Sequence, residues 1–179
     1  MNMNIKSVLM AIAISVATTG SAMAQEEVAR VALYTDWSVF NPTEGAEECF
    51  IASAPTATVA RRPNGQTYTA RRGDIRFYIA NRPTEGVAHE VAYTGGYAYR
   101  DGSVVIVEIG NEKFELFTEG EYAWPASAED DKKLVVAMQR GARAIVTGTS
   151  SRGNTTVDTI SLIGFTDALA DADKRCEAQ

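Results

Sequence analysis

Catalysis needs nucleophiles, bases or metal ligands at workable spacing, and this chain offers few. His89 is the only histidine, and Cys49 and Cys176 are the only cysteines. An ordinary zinc site would have to gather these with scattered carboxylates, so neither a metal nor a cofactor is expected. There is no G-x-S-x-G elbow, no phosphate-cradling P-loop and no dinucleotide fingerprint. His89-Glu90 lies in a strand-like run, where neighbouring side chains leave on opposite faces. The two are therefore not expected to act as a base and its orienting carboxylate, and His89 reads as solvated. The 23 acidic residues leave room for a hydrolase built on a carboxylate pair, but no spacing singles a pair out. A non-catalytic protein is the expectation, and a hydrolase using an unidentified carboxylate pair is the alternative.

Binding chemistry is better represented. Arg61, Arg62, Arg71, Arg72, Arg76 and Arg82 stand against one acid, Asp74, so residues 61–82 carry +5 in a chain of net charge −6. Guanidinium forks donate in pairs and suit carboxylate, phosphate or sulfate. Arg71, Arg72 and Arg76 are thus candidates for a surface that takes an anionic partner; the plainer reading has them solvated and paired with the protein's own acids. Tyr97 and Tyr99 near Gly95-Gly96, and Trp124 after Tyr122, are candidates for the same surface or for the core edge. Ser150-Ser151-Arg152-Gly153-Asn154 is polar enough to cradle an anion but reads first as a loop between strands.

The elements that must position these residues are mostly strands. Period-two alternation broken by Gly, Pro and Asn marks antiparallel strands with one face on a core. In Asp74 to Ala80, Ile75, Phe77 and Ile79 share one face, and Arg76 and Tyr78 the other. Ser103 to Ile109 reads as a central strand that turns at Gly110-Asn111 into Lys113 to Phe117. Further strands are expected over Val31 to Phe40, Glu48 to Ser53, Thr67 to Arg71, Val87 to Tyr93, Ala142 to Gly148 and Thr155 to Leu162. Thr118 to Ala126 is the nearest thing to a boundary.

Two helices interrupt the pattern. Ser127-Ala128-Glu129-Asp130 resembles a capping box, Leu134, Val135 and Met138 give a helical stripe, and Arg140-Gly141 supplies a cation and a left-handed stop. A terminal helix is expected from Thr166 to Cys176, with Phe165, Leu169, Ala172 and Cys176 on one face. The fold class is therefore all-β to α+β: one antiparallel β-sandwich or barrel-like domain with one internal and one C-terminal helix.

Lys6, the apolar run Val8 to Ala17 and Ala22-Met23-Ala24 follow the order of a signal peptide and its cleavage site. Cleavage between Ala24 and Gln25 is expected, leaving residues 25–179 as one domain of net charge −7. No downstream run reaches membrane-spanning length, and the acidic balance gives no bulk attraction to nucleic acid. A periplasmic or envelope-associated location follows. In that oxidising setting Cys49 and Cys176 are expected to form a disulfide, closing a loop worth up to about 5 kcal/mol in the chain-entropy model.

Four stretches together resemble a known family. They are Asp36-Trp37-Ser38-Val39-Phe40, Cys49-Phe50-Ile51-Ala52-Ser53, Arg72-Gly73, and Asp158 to Phe165 with Ala168. Their order is similar to that of the invasion-associated locus B family of exported Gram-negative proteins, and the Ser161 to Ala168 run is its most specific part. The resemblance implies a periplasmic or envelope-associated β-rich protein, linked in some pathogens to host-cell invasion, with no agreed biochemical activity. Binding of an envelope protein or an anionic envelope component is the expectation that the arginines and aromatics add. Many members carry further cysteines, where this chain has Phe40 and Tyr122-Ala123-Trp124.

Overall fold

The structure is a computed structural model that describes residues 29–41 and 48–177. The Ala24/Gln25 junction lies outside the described residues. The first strands are β1 (Arg30–Tyr34), β2 (Trp37–Phe40), β3 (Cys49–Ser53), β4 (Ala57–Arg61) and β5 (Thr67–Tyr68). β6 (Arg76–Arg82) and β7 (Val87–Thr94) follow, joined by a 3-10 turn. Next come β8 (Val104–Ile109), β9 (Glu112–Glu119), β10 (Tyr122–Trp124), helix α1 (Ala128–Arg140), β11 (Arg143–Thr149), β12 (Thr155–Ser161) and helix α2 (Phe165–Glu177).

The twelve strands form one antiparallel sheet in the order β1-β2-β3-β6-β7-β10-β9-β8-β11-β12-β4-β5. The sheet curls back on itself. Tyr93 of β7 bonds to Asp158 of β12, and Trp37 of β2 bonds to Ser161 at the end of β12. Inward residues of both halves, among them Val39, Ile51, Phe77, Val91, Val107, Leu116, Val146 and Ile160, bury into one core. Each alternates with an outward neighbour, as the pleat requires. This is the expected sandwich or barrel-like architecture with two helices.

Local chemistry explains the boundaries. Ile109 pairs with Glu112 across the two-residue turn Gly110-Asn111, with Gly110 at φ 59. The Ser127 hydroxyl accepts the Asp130 amide and opens α1, and Leu134, Val135, Ala137 and Met138 face the core. Phe165, Ala168, Leu169, Ala172 and Cys176 form the buried stripe of α2, which packs on β1, β2, β3 and β6.

Four expectations need correction, and one strand was not expected. Thr67 to Arg71 pairs as a strand only over Thr67–Tyr68. Val31 to Phe40 is two strands, because Thr35 takes φ 53 and reverses the chain. Ala57–Arg61 forms a strand, β4, although its own alternation is weak; it lies against β12. Thr118 to Ala126 is no boundary, since β10 lies between β9 and β7 inside the sheet. Gly141 is extended at φ −85, not left-handed. An added Cβ there would come within 2.5 Å of Ile109 Cγ2 and 2.9 Å of Leu162 Cδ1, so close packing is what requires glycine.

Candidate functional site

The arginine run is scattered by the fold. Arg71 is exposed, and Arg76 donates to the Ile75 carbonyl and lies 3.8 Å from Asp74. Arg82 is held by Glu90, Glu85 and, at 3.4 Å, Glu48. Its pKa is raised, first by the hydrogen bond to Glu90. Arg62 sits over the Tyr68 ring.

Arg72 is not on the surface. Its side chain is 7% exposed and makes two 2.7 Å bonds to Asp158, which is 1% exposed. Arg72 Nε donates to the Gly95 carbonyl, and Tyr93 donates its hydroxyl to Asp158 Oδ2. Burial alone would lower the Arg72 pKa, but the bonds and charge of Asp158 outweigh it and the net shift is upward. Burial pushes the Tyr93 phenol strongly up, keeping it a donor. A buried guanidinium spent on a carboxylate and a carbonyl is positioning chemistry for the sheet, not a free anion receptor.

Tyr97 and Tyr99 belong to the same interior. Tyr97 lies under the Arg72 guanidinium and shares a 2.6 Å bond with Thr156. Tyr99 is buried, edge-on to Tyr97, with its hydroxyl against Gly95. Neither forms part of an exposed aromatic surface. Trp124 does.

The face carrying Trp124 is the outer side of β2, β3, β6, β7, β10 and β9. In β10 the middle residue Ala123 is buried, which sends Tyr122 and Trp124 outward. In β3 and β6, Phe50 and Tyr78 point outward beside the inward Ile51, Phe77 and Ile79. The register sets large residues beside small ones, with Phe50 opposite Ala80 and Tyr78 opposite Ala92. The alanines leave a floor between aromatic walls. The result is an open slot of about 350 Å³, at the small end of ordinary small-ligand clefts.

Phe50 and Tyr78 wall one side, 6.1 Å apart, and Tyr122 and Trp124 the other, 5.7 Å apart. Phe40 stacks on Phe50, and Phe117 lies tilted against Trp124, extending each wall. Glu48 and Glu90 also line the slot. The Tyr78 phenol is raised, first by burial and then by its neighbour Tyr122. Phe50 and Tyr78 were not singled out from the sequence. The signal available was the large residue on the polar-facing register of each strand.

The carboxylates have partners of their own. A second cleft on the other side of Trp124 is lined in part by Glu90, Glu119 and Asp131. Asp131 accepts the Val91 amide at 2.9 Å, tying the first turn of α1 to β7, and Glu90 is bound to Arg82. Burial raises the Asp131 pKa, but its bond to Val91 gives it a structural task. No cluster of three or more His, Cys, Asp or Glu suited to a metal occurs among the described residues.

His89 is not simply solvated. It takes φ 57 at a bulge between β6 and β7, and its Nε2 lies 2.9 Å from Asp173 of α2. Asn81 completes the link, accepting the His89 amide and donating to Asp173. The Cys49–Cys176 disulfide is formed beside it, with Cα atoms 6.0 Å apart. These contacts fasten α2 to the sheet. No protein-family model, curated protein or solved structure matches the chain.

Proposed function

We propose that the protein is a non-catalytic binding protein of the bacterial envelope and that the outer aromatic slot is its ligand site. The observation that carries the reading is the slot itself, with aromatic walls on both sides and an alanine floor on a rigid sheet. Aromatic side chains with few rotamers give large contact area at small entropic cost. The disulfide supports export to an oxidising compartment, and the resemblance to the invasion-associated locus B family supports the envelope as its setting. The anionic-partner reading loses Arg72, Tyr97 and Tyr99, which the fold uses internally, and keeps only Arg71 and Arg76.

Mapping the ¹⁵N-labelled protein by NMR against a library of small aromatic, aliphatic and cationic fragments tests the site. Shifts should converge on Ala80, Ala92 and the Trp124 indole. Convergence elsewhere, or none, would overturn the assignment.

A further inference from the structure

Resting on that reading of the slot, we infer that it takes a quaternary ammonium cation. Two independent features converge on this ligand class. The walls are the rings of Phe50, Tyr78, Tyr122 and Trp124, and aromatic rings attract organic cations, tryptophan most strongly. The carboxylates supply the second feature. Glu48 and Glu90 line the slot, and with Glu85 they surround a single guanidinium, Arg82. Three carboxylates against one cation leave a negative surplus at the slot's edge. Arg76, the next cation along β6, already faces Asp74.

The state of those carboxylates selects among cations. Glu90 Oε2 accepts from Arg82 at 2.8 Å and Glu85 Oε2 at 2.9 Å, so one oxygen of each already serves that guanidinium and their charge acts on the slot from its edge, not from its floor. A guanidinium or primary ammonium entering the slot would bring N–H donors to a floor of alanines and walls of rings. Each unpaired donor there carries a desolvation cost. A quaternary ammonium has no N–H to satisfy. It needs a cation-attracting field, methyl-sized contacts and ring surfaces, and the slot offers these three.

The test titrates the uniformly ¹⁵N-labelled, disulfide-bonded protein with choline. Its neutral isostere 3,3-dimethylbutan-1-ol and N-acetylarginine amide serve as the other arms. Trp37 is buried and hydrogen-bonded, so its indole signal reports the fold while that of Trp124 reports the slot. Choline should move the Trp124 signal saturably and leave Trp37 fixed. Trp124→Phe, which assigns the signal, should retain part of the binding when followed at Ala92. Trp124→Ala should weaken choline by about tenfold, and Glu48→Gln by about two- to fivefold, the scale of one exposed charge.

Equal binding of the neutral isostere would overturn the cation assignment while leaving the slot as a ligand site. Tighter binding of the arginine amide would overturn the quaternary class. No saturable choline shift would overturn the inference, whereas the ligand-site reading stands or falls separately on the fragment map.

Discussion

Trp37 donates its indole N–H to the carbonyl of Ser161 at 2.9 Å, across 124 residues of chain. The same ring meets Phe165 edge-on, with centroids 4.9 Å apart. The segments Trp37-Ser38-Val39 and Ser161 to Ala168 are therefore two sides of one core contact. Gly164 belongs to it as well, since an added Cβ would collide with the Tyr34 carbonyl. These residues hold α2 against the first strands. Their chemistry is packing and one buried hydrogen bond.

Trp37→Phe should accordingly destabilise the fold without touching the slot. It leaves a void and an unpaired Ser161 carbonyl, a combined cost of about 2–4 kcal/mol. Urea unfolding measures this. A change below about half a kcal/mol, the range of ordinary surface substitutions, would mean that the contact contributes little.

The buried pair Arg72–Asp158 predicts an asymmetry between single and double variants. Asp158→Asn leaves a buried guanidinium without its counter-charge and should cost about 3–5 kcal/mol. Arg72→Met with Asp158→Leu removes both charges and should cost less than either single change, though Tyr93 then loses its acceptor. Additive losses in a double-mutant cycle would contradict the coupling.

The disulfide joins β3 to the last turn of α2, 127 residues on. Cys176→Ser should lower Tm and expose the amides of α2 to hydrogen exchange before those of β8 and β9. The chain-entropy ceiling is about 5 kcal/mol. An unchanged Tm would show the bridge to be idle and α2 to be held by its buried stripe and the bonds to Asp173.

Much of this fold was legible where the determining contacts are local. The Gly110-Asn111 hairpin, the Ser127 cap and the alternation of Ile75, Phe77 and Ile79 each depend on neighbours within a few residues, so their patterns survive in one dimension. Arg72 did not read correctly because its partner lies 86 residues away. A run of arginines looks like a surface until the fold withdraws one of them. The slot was half legible for a related reason. Trp124 stood out by type, but Phe50, Tyr78 and the alanine floor become neighbours only through strand register, which links β3, β6, β7 and β10 across 70 residues or more of chain.

Asp131 gives a pH test. Burial raises its pKa above the ordinary 3.8, the Val91 amide opposes this, and Glu90 adds to the rise. A place in the first turn of α1 favours the charge, yet the net shift is upward. A raised carboxyl binds its proton more tightly in the folded state, so its ionisation costs stability as pH climbs through the folded value and costs nothing well below 3.8. Asp131→Asn stays neutral and keeps an oxygen for Val91. Its stability relative to the parent should therefore be greater at about pH 7 than at about pH 3. The opposite trend in denaturant midpoints would show that the ionised carboxylate is the favoured form.

His89 carries the last prediction. At φ 57 its backbone is in the left-handed region, where a side chain with a Cβ costs about 1 kcal/mol and glycine does not. The position also bonds through Nε2 to Asp173, and both groups are about one-third exposed, so that bond is screened and its contribution is modest. His89→Ala loses the bond and keeps the strain, whereas His89→Gly loses the bond and relieves it. The glycine variant should therefore be the more stable of the two by about 1 kcal/mol in urea unfolding. Both should loosen α2 to a similar degree in hydrogen exchange, because both leave Asp173 with the Asn81 bond alone. Equal stabilities for the two variants would show that the bulge relaxes to an unstrained backbone once the imidazole is gone. In that case the Asp173 contact, rather than the strand register, is what holds His89 in its left-handed conformation.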